Sequence, residues 1–511
     1  MPLTRGKAHA DVKQITTIAE LRTYTGFTGA SCQVLGYYAA GDGGGGPVRI
    51  WGTAGGYTDN GGSVIVPTGG DGSGAWIWEH TGVVDVEWFG AGTVDDSDII
   101  ESVLSTVGDV RLSKTYIITR QLNITRTSSL NITSVNAKFN LVSTPSIQYF
   151  VNIVSGGHDI NMRGNLHIEC NKKAFTGLRI DNNSDTYGNV HIEDLRVTQP
   201  HRASTGFSGG DGIMIQGSFD NVYLLNPHIK NASMASGAGV SGVEGIFGIT
   251  TKSTTVSRFV KQVVIKGAVI DTVYSEDLDY TFDQDGIRVF PPTENGVDVP
   301  HLCHAVIESS TFINCRGRSI KAQTPFTTVS DCLFIRNAGG NYTTGNQEID
   351  FQKGGGDVRN IRCIYTSFAP KAVITFQGSR ESTVDERMLG GSANGVKVSL
   401  KGAPNIISSV FEVIGREQPR MTVSISDVQL FATGQVDKFL TVSPKGSTYL
   451  SFSDMVVGYE GETLRINSHA TGGTVFVSFR SSTNYRTGTG STNGGNGTVS
   501  SYISTDSNVV L

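Results

Sequence analysis

Charge is scarce in this chain of 511 residues: Asp, Glu, Lys and Arg supply 17% of it, against roughly 25% in ordinary globular chains. A formal net charge of -5 at pH 7 gives no general attraction to nucleic acid or to an anionic membrane, so a polyanion would need a local basic patch. No stretch reaches the run of about 18 apolar residues that spans a bilayer, and the opening MPLTRGKAHADVK has no apolar signal core. The expectation is a protein with no nucleic-acid partner, no membrane insertion and no export signal of its own. Cysteine is thin as well. Cys32, Cys170, Cys303, Cys315, Cys332 and Cys363 are scattered, which fits reduced core thiols better than a disulfide framework. His301 and His304 form the nearest approach to a metal pair, with no Cys or carboxylate cluster at ligand spacing. No metal and no other cofactor is expected.

What the chain has in quantity is glycine, 64 residues, and a short register that repeats: Thr-Gly-Leu-Arg-Ile at 176–180, Asp-Gly-Ile-Met-Ile at 211–215, Glu-Gly-Ile-Phe-Gly at 244–248, Asp-Gly-Ile-Arg-Val at 285–289, Arg-Ser-Ile-Lys-Ala at 318–322, Gln-Glu-Ile-Asp-Phe at 347–351 and Lys-Ala-Val-Ile-Thr at 371–375. The anchors Leu178, Ile213, Ile246, Ile287, Ile320, Ile349 and Val373 are 35, 33, 41, 33, 29 and 24 residues apart. Units of this size cannot bury their apolar face alone and must stack on their neighbours. Further alternating runs between the anchors, such as Val190-His191-Ile192 and Val263-Val264-Ile265, have the period of strands and are bounded by turn residues. The fold class is therefore all-β, a parallel β-helix with two or three strands per coil. A sandwich or propeller would carry hairpin turns and a fixed repeat length.

The chain divides into a glycine-dense N-terminal module over residues 1–92, a coil region over 93–390, and a segment over 391–511 where the register stops and new strands suggest a separate C-terminal β-domain. A helix over about 98–107, with Asp98 as N-cap and Glu101 three residues on, presents Ile99, Ile100, Val103, Leu104 and Val107 on one face to cover the open end of the solenoid.

The combination of YYAAGDGGGG at 37–46, DNGGSVIVP at 59–67, WFGAGTVDDSD at 88–98 and DVRLSKTYIIT at 109–119 resembles bacteriophage tailspike proteins. The resemblance implies a right-handed, pectate-lyase-like parallel β-helix, a homotrimer, and attachment to the phage virion or an adaptor protein through the N-terminal module. It further implies a place on the virion tail, acting at the bacterial cell surface, and binding, usually with cleavage, of a bacterial surface polysaccharide. For the C-terminal segment it implies trimer locking or glycan binding.

The register also places chemistry. Neighbours of an inward anchor point outward, giving an exposed column Arg179, Met214, Phe247, Arg288, Lys321, Asp350, Ile374 and, two before the anchors, a turn-edge column Thr176, Asp211, Glu244, Asp285, Arg318, Gln347, Lys371. Stacked strands are about 4.8 Å apart, which sets Glu244 and Asp285 near the roughly 5–5.5 Å carboxyl spacing of retaining glycosidases, and Asp211 and Asp285 near the wider spacing of inverting ones. Asp before Gly is also an ordinary turn residue. The insertion SEDLDYTFDQDG at 275–286 adds Asp283 as a further acid and Tyr280 as a flat face for a sugar ring; a solvated acidic loop is the alternative. Its DQDG, with GRSIK at 317–321, resembles short elements of polygalacturonase-type hydrolases, without their paired Asp-Asp and Gly-His-Gly motifs. Arg288, Arg318 and Lys321 make a basic patch suited to acidic sugars, or a ladder of ion pairs with Glu348 and Asp350; Phe247 lies beside them in the exposed column. Paired carboxylates point first to glycoside hydrolysis, with a uronate-specific lyase or a non-catalytic receptor-binding spike as alternatives.

Overall fold

In the computed structural model the described residues are 12–78, 80–143, 147–203, 211–236, 243–248, 259–276, 284–290, 293–294, 297–298, 303–324, 326–337, 347–352, 355–367, 369–378, 390–400, 407–414, 420–432, 436–443, 447–458, 462–467, 474–480, 491–493 and 499–501. The side chains of Glu244 and Phe247 and of much of the C-terminal third lie outside that description, as do Tyr280 and Asp283 altogether.

Residues 13–78 form a five-stranded sheet in the order Lys13–Ile15, Ser31–Val34, Arg49–Gly52, Ala75–Trp78, Val64–Ile65. Its glycine-dense loop is held by one carboxylate: Asp42 accepts from the backbone N–H groups of Tyr37, Tyr38, Ala39 and Gly44 at 2.7–3.0 Å. Arg49, fully buried, donates to the carbonyls of Gly45 and Gly62, and burial brings its guanidinium down to about 10.

Two acids tie the module to the first coil. Asp96 accepts from Gly92, Thr93 and Ile117 N–H, and Asp95 from Ser97 and the Thr119 hydroxyl. The capping helix is Ser97–Thr106, with Ile100, Val103 and Leu104 buried on the core. Asp98 is not its cap: the N-cap is Asp96, and Asp98, two positions on in the first turn, takes an ion pair from Arg120 at 2.6 Å, as Glu101 does.

Beyond the helix the chain winds as a parallel β-helix with three faces. Face 1 runs from Asp109–Leu112 through Leu130–Ser134, Ile160–Arg163, Gly188–Glu193, Phe219–Leu225, Val260–Lys266 and His304–Glu308 to Phe326–Ser330. Face 2 runs from Thr115–Ile118 through Lys138–Leu141, His167–Glu169, Arg196–Thr198, His228–Met234, Val269–Ser275 and Thr311–Cys315 to Leu333–Arg336. Face 3 is a 13-stranded parallel sheet from Leu122–Thr125 to Ser491–Asn493. Alternate residues point inward, so one continuous core runs from Val86 to Leu450. All six cysteines are free and buried in the two cores, and burial pushes Cys303, Cys315 and Cys332 up to about 12.

The bend between faces 1 and 2 falls on residues with left-handed backbone: Asp194, Asn226, Ser309, Asp331 and Asn360 have φ of 50–56°, which Asn and Asp tolerate best after Gly. They also bond upward along the corner, Asn226 Nδ2 to Asp194 Oδ1 at 3.1 Å and Asn360 Nδ2 to Asp331 Oδ1 at 2.6 Å.

The repeated x-Gly-Ile has a packing cause. A Cβ on Gly212 would stand 2.5 Å from Ile229 Cγ2 of face 2, and one on Gly245 2.8 Å from Ile270 Cγ2, closer than carbon atoms approach. The glycines let face 3 begin pressed against face 2. Where the position becomes Ser319 and Glu348, the corner turns polar: Arg336 and Glu348, each 1% exposed, pair at 2.7 Å and Ser319 donates to the same carboxylate.

The register does not stop at residue 390, and the separate β-domain expected over 391–511 is corrected. Gly390–Leu400 pairs in parallel with Gly356–Tyr365, and Arg420–Ala432, Ser447–Gly458 and Thr474–Arg480 follow in the same ladder, while Ile407–Ile414, Val436–Ser443 and Glu462–Asn467 extend face 3. The change in character is real but smaller. From Gly356 on, faces 1 and 2 fuse into single long strands, bent at Asn360, Gly395 and Asp427, all with positive φ, while the x-Gly-Ile signature has already ended at Ser319 and Glu348.

Candidate functional site

Face 3 keeps the register expected of it. Leu178, Ile213, Ile246, Ile287, Ile320 and Ile349 are successive Cα partners. The seventh is Ile374, not Val373; both are buried, and two adjacent apolar residues leave the phase of a strand undetermined. The outward column therefore continues Lys321, Asp350, Thr375, Glu412.

Glu244 and Asp285 occupy the same position on adjacent rungs as Cα partners. Asp285 is fully enclosed, at 0% exposure, and accepts from Arg318 Nη1 at 3.3 Å. Arg318 also donates to Asp350 at 2.8 Å, and Asp350, equally enclosed, accepts from Gln352 and Gln377 at 2.7 Å. Lys321 and Asp211 are buried too. Arg318, Asp285 and Asp350 thus form the ion-pair ladder, not an open basic patch. Glu348 is corrected from a substrate contact to a core residue: Arg336 encloses it inside the coil, beyond the reach of a saccharide. Arg288 is half-buried, its guanidinium 3.9 Å over the Phe290 ring.

The polar groups that reach the surface of this face lie nearer the N-terminal end. Arg179 donates to Asp181 at 2.6 Å, to Asn152 at 2.9 Å and to Gln216 at 3.3 Å, and its guanidinium lies 4.8 Å over the Tyr149 ring. Gln148 donates to the Tyr149 hydroxyl at 2.8 Å. Tyr149, Asn152, Asp181 and Gln216 are half-buried and combine a flat ring with planar donors and acceptors, the surface that stacks and hydrogen-bonds sugar rings. Burial chiefly, with the Asp211 and Asp181 charges against the Arg179 cation, pushes the Tyr149 phenol up, so it keeps its proton and serves as a donor. The outward column that starts at Thr176 and Arg179 does not extend to this cluster's first rung. The signal was one more rung: Val151 pairs with Leu178, placing Tyr149 before Thr176 and Asn152 before Arg179. Among the described residues no group of three or more His, Cys, Asp or Glu side chains could hold a metal, and no helix is long and apolar enough to cross a membrane.

Residues 14–81 match the phage tail protein small four-stranded β-sheet domain. The N-terminal module is thus similar to a phage tail domain. Among solved structures, the chain is similar to tailspike protein 2 of the Escherichia coli O157:H7 bacteriophage CAB120 at 13% identity and a TM-score of 0.42, covering 92% of this chain and 52% of that one. It spans about half the length of that tailspike. A tailspike protein of the Acinetobacter baumannii bacteriophage Fri1, described as a capsular polysaccharide depolymerase, is 13% identical with a TM-score of 0.43, covering 82% of this chain and 75% of that one. An alginate lyase from Paenibacillus is 16% identical with a TM-score of 0.36, covering 70% and 98%. No curated protein matches the sequence.

Proposed function

We propose that this protein is a phage tailspike, carried on the virion tail through its N-terminal module directly or by an adaptor, that binds and depolymerises a bacterial surface polysaccharide. The observation that carries the reading is the joining of a phage tail domain at residues 14–81 to a parallel β-helix whose third face holds a half-open cluster of Tyr149, Asn152, Arg179, Asp181 and Gln216. The glycan lies on that cluster, and cleavage is glycoside hydrolysis by Glu244 and Asp285, one rung apart, with Asp283 and Asp211 as flanking carboxylates. Arg318 fixes the Asp285 carboxylate in place. Assembly is a homotrimer, for which face 2 offers an apolar outward stripe: Ile313, Ile335 and Ile364 on successive rungs, with Leu333 beside them, all half-buried.

A second reading, a spike that holds polysaccharide without cutting it, is favoured by the complete enclosure of Asp285. The experiment is incubation with capsular or O-antigen polysaccharide of a sensitive host, followed by reducing-end and unsaturated-uronate absorbance assays. New reducing ends without absorbance indicate a hydrolase, added absorbance a lyase, and retained binding with neither a receptor. Glu244→Gln and Asp285→Asn are expected to lower kcat by about 10²–10⁴-fold with the trimer intact; full activity in both removes them from the reaction.

A further inference from the structure

Face 2 carries a second feature that the polysaccharide cluster of face 3 does not explain. Lys138, His167, Arg196 and His228 are successive Cα partners on four rungs, all pointing outward, so four basic side chains stand one above another at steps of about 4.8 Å. Like groups directly opposite each other destabilise a sheet. Here the repulsion is visible on His167, whose imidazole falls to about 4 through burial first, with the charges of Lys138, Arg196 and His228 adding to the fall against Glu169. Counter-charges are few. Glu169 lies 3.7 Å from Lys138 and 3.5 Å from His167, and Asp271 pairs with Lys230 at 3.1 Å. Arg196, in the middle, is exposed, and its guanidinium makes no hydrogen bond or ion pair among the described residues. Nothing in the fold requires a guanidinium there, since the inward neighbours Ile168, Val197 and Ile229 supply the packing.

We propose that this column is a second binding strip, for an acidic polysaccharide whose anionic groups lie along the helix axis from Lys138 to His228. Lys138 and Arg196, two rungs and about 10 Å apart, are the cations, with the imidazoles of His167 and His228 beside them as neutral hydrogen-bonding groups; this spacing fits an extended chain bearing regularly repeated carboxylate or phosphate groups, and Arg196 supplies a planar fork for one of them. Nucleic acid is a poorer fit: duplex binders neutralise about 6–10 phosphates, and the whole chain is net negative. A second copy of this chain is poorer too, because many of its surface acids carry their own cations, Asp220 with Lys261, Glu308 with Lys266 and Asp357 with Arg359. The strip holds glycan without cutting it and occupies the coils N-terminal to the apolar stripe of Leu333, Ile313, Ile335 and Ile364 on the same face; it lies on a different face from the proposed cleavage, so its failure leaves the cleavage reading untouched.

Affinity electrophoresis of the full chain through gels containing polygalacturonate or neutral dextran tests it. Wild type is expected to be retarded by polygalacturonate and not by dextran, and less so as salt rises. Arg196→Glu weakens retention about ten-fold or more, the size of one charge-assisted contact. Arg359→Glu, the same charge change on face 1, retains it. Circular dichroism confirms that both variants are folded. Equal retention of Arg196→Glu and wild type overturns the proposal, as does equal loss in both variants. Retention by single-stranded DNA without retention by polygalacturonate overturns it in favour of nucleic acid, and a changed oligomeric state of Arg196→Glu by light scattering overturns it in favour of a subunit contact.

Discussion

On face 3 the charges between Asp285 and Asp350 are enclosed and bonded to one another, whereas on face 2 Arg196 stands in solvent between two histidines with no acid of its own. Both faces are built by the same winding, and both set basic residues on successive rungs. The difference is what lies around each column. A buried cation must be paired, since an unpaired charge in the interior costs several kcal/mol; an exposed one can stand unpaired at little cost and remains available to a ligand. Arg318 therefore belongs to the architecture, and Arg196 to the surface.

The sharpest way to break this comparison is in the deepest pair. Arg336→Met leaves the Glu348 carboxylate buried without its cation and is expected to cost about 3–5 kcal/mol in urea unfolding. Adding Glu348→Met should recover most of the loss; if it does not, the pair is doing more than compensating its own burial. A smaller effect is expected where the corner is apolar. Gly286→Val brings carbon against Ser319 O at 2.6 Å and Phe312 Cδ1 at 3.0 Å, an overpacking of about 1–3 kcal/mol, and an unchanged melting temperature would show that face 3 does not need to start so close to face 2. At the other corner, Asn226→Ala forces a Cβ-bearing side chain without an amide into φ 51° and should cost about 1–2 kcal/mol, while Asn226→Gly costs less because glycine adopts that conformation freely.

The smallest effect sharpens the exposed side of the comparison. The His167 imidazole is depressed from 6.5 to about 4, so its neutral form is favoured by folding. Its contribution is complete above pH 6.5 and declines as the pH falls from there to about 4. His167→Gln should flatten that part of the stability-against-pH curve; an unchanged slope would place the acid sensitivity on other groups.

The solenoid was legible because its cause is local and repeated. Each coil needs inward apolar residues at period two and a glycine where face 3 meets Val197, Ile229, Ile270 or Phe312, and both recur as letters at 176–180, 211–215, 244–248 and 285–289. The pairing of Glu244 with Asp285 followed from the same register. Continuation past residue 390 was not legible. The fused strands of Gly356–Tyr365 and Gly390–Leu400 leave no separate corner between faces 1 and 2, and a single long alternating strand resembles any β-domain. Nor was the cluster of Tyr149 and Arg179, since its first rung, Val151, carries no x-Gly-Ile at all.

The order of residues alone thus determined which side chains point inward, which point outward and which stand on neighbouring rungs, because strand alternation and coil stacking are properties of the backbone that need no distant information. Only the tertiary structure decided which outward residues are open. Whether Asp285, Lys321 or Arg179 meets solvent depends on what packs across the face from other coils, and that is a matter of segments far apart in the chain closing over one another, which no local pattern records.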